Sequence, residues 1–462
     1  MSQFIRLLTW LLLTSATMQY AQVPRSSSFA ITHVTVIDVQ NGSRLADQNV
    51  LVSGNLITAV GSANQVAVPN GITTLDGRGK FLIPGMWDMH VHSLEHLGID
   101  YSYGMEPYKL YVANGITGIR DMGSSFIQFV VGKRRIEGGQ LVAPRIVASG
   151  PLLEGGQPAL NRAIISKYVP TPEAGRLAVD ALAESGVDFL KIHNGLTRET
   201  YLATAAEAKQ KNIVFAGHVP EGVTAMEASD LGQRSIEHLA PITAACVDPA
   251  SLRNAETSSA PIPILDGKCE QALRQIARNG TWLTPTIISG FPQTSSNSPD
   301  VEAQLRYLKP ERRATCPPLP AQERPGARVR HQLDLRITKM ASDAGIRMMA
   351  GTDTTTCRQP GFAVLQEITL FVEAGLSPVE ALRTATLNPA VYLDKGDVLG
   401  TITRGKVADM VLLDADPLAD IHNVTRISAV VANGRLFDAA GRQQLLNDVL
   451  ANAGTTGSRG SQ

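Results

Sequence analysis

Between Phe29 and Leu75, apolar and polar residues alternate in short runs broken by turn residues: FAITHVTVIDVQNGSR, QNVLVSGNLITAVG and GITTLDG. Side chains of a strand alternate between its faces, so a period of two predicts a small β-sheet module here. From Phe81 onward the texture changes. Apolar runs of strand length at 81–93, 115–123, 144–150, 188–193, 213–219, 234–239, 281–287 and 346–354 alternate with helix-compatible stretches such as TPEAGRLAVDALAESG and RETYLATAAEAKQKN. Eight such strand and helix units over about 300 residues predict a (β/α)8 TIM-type barrel. After the helix-forming SPVEALRTATLNPAVYL, strand texture returns at ADMVLLDAD and ISAVVANGRLFD. The expected organisation is therefore a small β-sandwich assembled from 29–80 and 391–440, a barrel over 81–390 between them, and a flexible tail over 441–462.

Composition narrows the partners. The 462 residues are 44% hydrophobic, with 42 Lys plus Arg against 42 Asp plus Glu. That balance argues against nucleic acid or a polybasic membrane surface as the main partner. The first 21 residues read as a signal peptide: Arg6 precedes the apolar run Leu7 to Leu13, and small residues follow, with cleavage expected after Ala16 or Ala21. The run is short of the roughly 20 apolar residues a membrane span needs. The mature chain is thus expected to be exported, periplasmic or secreted, where disulfides persist. Its four cysteines allow three pairings. Cys246 with Cys269, which would staple the intervening Pro- and Ser-rich loop, and Cys316 with Cys357 are favoured.

The candidate chemistry begins in FLIPGMWDMHVHS, where Asp88, His90 and His92 share one face of the first barrel strand. Barrel enzymes carry their sites at the C-terminal ends of the strands. The polar residues at those ends are His90, His92, Lys191, His218, His238 and Asp353. Neutral imidazoles with a carboxylate suit zinc or a similar divalent ion.

Here the sequence resembles the amidohydrolase superfamily, in particular its imidazolonepropionase-like and prolidase-like members. The motifs that carry the resemblance are PGMWDMHVH, VANGITGIRDMG, FLKIH, GHVPEG, SIEHL, AGTDT, ATLNPA and GTITRGKVADMVLLDADPL, in that order from about Phe29 to Phe437. The resemblance implies a binuclear hydrolase of amide bonds. His90, His92 and Asp353 would hold one metal, His218 and His238 the other, and Lys191 would bridge both as a carbamate derived from carbon dioxide. Asp353 would also relay the proton. The implied cofactors are two divalent ions, with zinc expected. A dipeptide, an N-acyl amino acid or a xenobiotic amide of the ochratoxin type would be the substrate.

Two further residues are candidates for substrate contact. His193 shares the parity of Lys191 on its strand, and a structural hydrogen bond is its other reading. Arg120 could clamp a carboxylate, or pair with Asp121 or a neighbouring loop. Asp88 sits one step deeper than His90, which suits a supporting role. Where prolidase-like relatives carry Gly-Gly-His-Gly, this chain has LLEGGQPAL. The Pro- and Ser-rich stretch Ser289 to Pro325 is long enough for a lid. Other functions that the same barrel supports are a lactonase or esterase, a mononuclear deaminase or cyclic-imine hydrolase, and a non-catalytic ligand-binding barrel. Lys191 and the complete ligand set argue against the last two. A small-molecule substrate, no stable membrane span and a homo-oligomer are the expected partners.

Overall fold

The computed structural model describes residues 28–93, 107–157, 165–254, 260–290, 304–314, 325–353 and 359–454. The expected signal peptide, Cys316, Cys357 and most of the Ser289 to Pro325 stretch lie outside these residues.

The chain opens with strands β1 (Phe29–Asp38), β2 (Ser43–Ser53), β3 (Leu56–Ser62), β4 (Thr73–Asp76) and β5 (Phe81–Pro84). There follow β6 (Met86–Val91), β7 (Ile116–Asp121), β8 (Arg145–Ala148), β9 (Leu152–Glu154), β10 (Ser166–Tyr168), β11 (Leu190–Ile192), β12 (Phe215–Gly217), β13 (Ser235–Glu237) and β14 (Trp282–Thr284). Strands β15 (Met410–Leu413), β16 (Ile427–Ala432) and β17 (Arg435–Phe437) come last.

β1 to β5 and β15 to β17 form one continuous sheet, joined where β15 pairs antiparallel with β5. Within it β1 forks: its first half pairs with β4 and its second with β5. Alternation divides its side chains. Ile31, Val36, Val50, Leu82, Met410 and Val431 enclose a core of their own, while Ile83, Val411, Leu413 and Val430 face the barrel core.

The barrel is a ring of parallel pairings. β6, β7 and β8 pair in order, as do β9, β11, β12, β13 and β14. β8 and β9 act as one interrupted third strand, since Asp188 N donates to Ala148 O (3.0 Å) and His193 N to Leu153 O (2.9 Å). The eighth position is held by Met348, which bridges to Leu283, and by Ala350 O, which accepts from Met89 N (2.8 Å) and closes the ring onto β6. The helices on its outside begin at side-chain caps, Thr171, Thr197 and Thr224 among them.

One expectation fails at the C-terminus. The tail expected to be flexible from 441 is helical over Ala439–Gly454. Leu445, Val449 and Ala453 are buried, and Asp448 pairs with Lys109 (2.8 Å) on the helix Pro107–Ala113. Docking, rather than the weak periodicity of the segment itself, holds this helix in place. Among the described residues, no helix is long and apolar enough to cross a membrane.

Cys246 and Cys269 are joined, tying the helix Ala240–Cys246 to the helix Asp266–Arg278. Closing a loop of this length stabilises by about 3 kcal/mol through the unfolded chain. Cys246→Ser should therefore lower the unfolding free energy by a corresponding amount in denaturant titration, and non-reducing mass analysis of the purified protein should show the bridge. Recovery of four alkylatable thiols from oxidising conditions would contradict it.

Candidate active site

The strand-end residues meet at one mouth of the barrel. His90 lies on β6 and is fully buried; His92 follows the end of the same strand. Lys191 is the central residue of β11 and is also fully buried. His218 and His238 each come one residue after their strands, β12 and β13. Asp353 ends the eighth position, where its N donates to His90 O (2.7 Å).

The backbone is shaped to bring them together. His238 (φ 66°) and Asp353 (φ 45°) both occupy the left-handed region, which non-glycine residues seldom adopt and which surrounding structure must impose. Gly351 makes the approach of the last strand possible. A Cβ there would lie 2.5 Å from Thr284 Cγ2 and 2.8 Å from His90 Cβ. Asp88, beneath the site, accepts from Thr352 N (3.0 Å) and Thr352 Oγ1 (2.7 Å), and so ties β6 to the strand that delivers Asp353.

Donor atoms of His90, His238 and Asp353 all lie within 4.8 Å of one another. Asp353 Oδ1 is 3.7 Å from His90 Nε2 and 3.4 Å from His92 Nε2, and its Oδ2 is 3.9 Å from His238 Nε2. His218 Nε2 faces His238 Nε2 at 3.1 Å. His90 Nε2 is buried and makes no hydrogen bond, as a lone pair reserved for a cation would be.

The protonation of His90, His218, His238 and Asp353 agrees with that reading. Burial, and then the charge of Lys191, hold the pKa values of His90 and His218 well below the ordinary imidazole range, and the same two causes lower His238. Burial would raise the carboxyl of Asp353, but His90, His92 and His238 outweigh it and keep this group ionised. For His92 burial is likewise overcome, here by the hydrogen bond and charge of Asp353, which raise its pKa. Neutral imidazoles and an anionic carboxylate are the forms that ligate metals.

Three of the four imidazoles are oriented from behind. His90 Nδ1 lies 2.9 Å from Glu237 Oε2, His218 Nδ1 2.8 Å from Asn194 Oδ1, and His238 Nδ1 2.7 Å from Thr286 Oγ1. In all three the δ nitrogen is engaged and Nε2 is left for the mouth, the arrangement that fixes a ligating tautomer. His193 pairs through Nδ1 with Glu154, and its ring lies 4.5 Å from that of His218, so it borders the site.

Arg120 does not reach the mouth, and the carboxylate clamp expected of it is corrected. Its guanidinium is fully buried inside the barrel and donates to Met89 O (2.6 Å), Ser235 Oγ (2.9 Å), Tyr392 Oη (2.9 Å), Thr284 Oγ1 (3.2 Å) and Glu237 Oε1 (2.8 Å). Nor is its partner Asp121. Sequence reasoning missed Glu237, although Ser235 and Glu237 alternate with Ile236 directly before His238. It also missed Glu154, Thr286 and Asn194.

Catalytic barrels place their chemistry at these strand ends, and donors of this kind make the molecule a barrel enzyme suited to a divalent cation. The family follows from comparison: residues 81–437 match the amidohydrolase family, and the chain belongs to it. It is a hydrolase acting on carbon–nitrogen bonds. An ochratoxinase of Aspergillus niger is 22% identical, over 87% of this chain and 85% of that protein. A deacetylase of Agrobacterium fabrum is 32% identical over 108 residues, which span 23% of this chain and only 25% of that protein. The fold is shared with a Xaa-Pro dipeptidase crystallised with methionine in its active site, at a TM-score of 0.66 and 21% identity, covering 89% of this chain and all of that one.

Proposed function

We propose that the protein is an exported, binuclear metal-dependent hydrolase that cleaves the amide bond of a dipeptide, an N-acyl amino acid or a similar small molecule. The observation that carries this is the meeting of His90, His92, His218, His238 and Asp353 around the buried Lys191. Asp353, His90 and His92 suit one ion and His218 and His238 a second. Zinc is the expected metal, since nitrogen and carboxylate ligands are those it favours.

Lys191 decides between one metal and two. Its ammonium form would repel cations, and the three histidines it depresses are the ones that would bind them. As a neutral amine it could add carbon dioxide, losing one proton, and the resulting carbamate would supply an anion for the two ions that His90, His92, Asp353, His218 and His238 would hold. Bound divalent ions supply a Lewis acid for the amide carbonyl and acidify water to a pKa of roughly 7. Asp353, ionised and at the rim of the cluster, takes the proton of the attacking water and passes it to the leaving nitrogen. His193, aimed by Glu154, borders the space beside His218 and is placed to touch substrate.

The named activities of the relatives, an ochratoxinase and a Xaa-Pro dipeptidase, are both amide cleavages, and they support the substrate class. Metal analysis of the purified protein, combined with a panel of N-acyl amino acids, dipeptides, lactones and amino-purines, tests the reading. Amides should turn over faster than the other classes. Turnover of lactones alone under metal-replete conditions would overturn it.

A further inference from the structure

Glu367 lies outside the cluster of ligands, on the helix Phe362–Glu373, and its side chain is fully buried. Its two carboxylate oxygens divide between two adjacent amides: Oε1 accepts from Ile287 N (2.9 Å) and Oε2 from Ile288 N (2.7 Å). These amides open the short turn Ile287–Gly290 that follows β14. A carboxylate across two amides at the start of a helical turn is charge-assisted at both bonds.

The residue before those amides is Thr286, which is buried and held at φ 48°. A β-branched residue does not take that conformation unless it is imposed. The consequence falls on the site, because Thr286 Oγ1 is the 2.7 Å partner of His238 Nδ1. His238 in turn directs Nε2 to His218 Nε2 (3.1 Å) and toward Asp353 (3.9 Å).

We propose that Glu367 is a positioning residue for His238. It clamps the two amides, the clamp sets the backbone of Thr286, and the threonine hydroxyl fixes the tautomer and ring angle with which His238 meets a metal. The proposal rests on the reading that His238 is a metal ligand. It links the helix Phe362–Glu373 to a ligand that follows β13.

The test is a double-mutant cycle read as zinc affinity by chelator competition. Glu367→Gln keeps the volume but turns a donor toward one of the two amides; Thr286→Val removes the hydroxyl and leaves the clamp. Each should weaken zinc binding roughly 10- to 100-fold, the range for loss of a group that orients a ligand. The double variant should be little weaker than either alone, since both act along one path. kcat should fall with KM nearly unchanged. Should the glutamine variant fail to fold, Glu367→Asp, which keeps the charge and shortens the reach, carries the same cycle. A lowered melting temperature with unaltered zinc affinity, or additive losses in the cycle, would show that Glu367 merely braces the rim and would overturn the proposal. His238→Ala separates the two ideas. If that variant binds zinc like the parent, the metal reading of His238 has failed; if it loses zinc while Glu367→Gln keeps it, only the positioning role has failed.

Discussion

Lys191→Ala should lose one of the two proposed metals and nearly all turnover. The lysine is buried at the centre of β11, between the strands that carry His90 on one side of the barrel and His218 and His238 on the other. As a carbamate it would be the one anion shared by both ions. A Lewis acid is worth several kcal/mol to the transition state, and each 1.36 kcal/mol is tenfold in rate, so a drop of about 10³-fold or more is expected. The cavity left by the side chain should still accept a small carboxylate. Formate or acetate should restore part of the metal content and part of the rate, by placing two oxygens where the carbamate had been. Metal stoichiometry and turnover, measured with and without the added acid, decide the matter. A variant that keeps two metals per chain and shows only a raised KM would make Lys191 a cation in contact with substrate instead.

What could be read from the chain was what has a period. The strand runs locate the barrel positions because each carries apolar residues at its core and a polar residue at its C-terminal end, and fold position then gives those end residues one common mouth. His90, His92, His218, His238 and Asp353 were legible for that reason. Their supports were not. Glu237 and Arg120 are 117 positions apart in sequence, and nothing local in GIRDMG or SIEHL says that they meet. Thr286 and Glu154 act on histidines of other strands, and nothing local in the chain pairs either with its partner. The C-terminal helix was missed for a related reason: its larger apolar residues begin only at Leu445, and it is stable because Leu445 and Val449 find a surface to cover.

Arg120 carries the second large expectation, and it separates an arginine that serves the substrate from one that serves the barrel. Arg120→Met should cost about 3 to 5 kcal/mol of stability, because it leaves Glu237 buried, charged and without its cation. The loss should reach the site as well. Glu237 accepts from Ser235 Oγ (2.6 Å) and faces His90 Nδ1 (2.9 Å), so a carboxylate no longer pinned by the guanidinium holds that ring less firmly. Metal affinity should fall together with stability. Arg120→Met combined with Glu237→Gln removes both charges at once, and it should recover most of the stability while leaving metal affinity low, since an amide orients His90 less strongly than a carboxylate. An arginine that clamped a substrate carboxylate would behave in the opposite way: its loss would raise KM, leave the melting temperature and metal content unchanged, and gain nothing from the second substitution. Five hydrogen bonds inside the barrel, and the rings of Tyr392 at 5.0 Å and Phe189 at 5.7 Å from the guanidinium carbon, place Arg120 with the barrel.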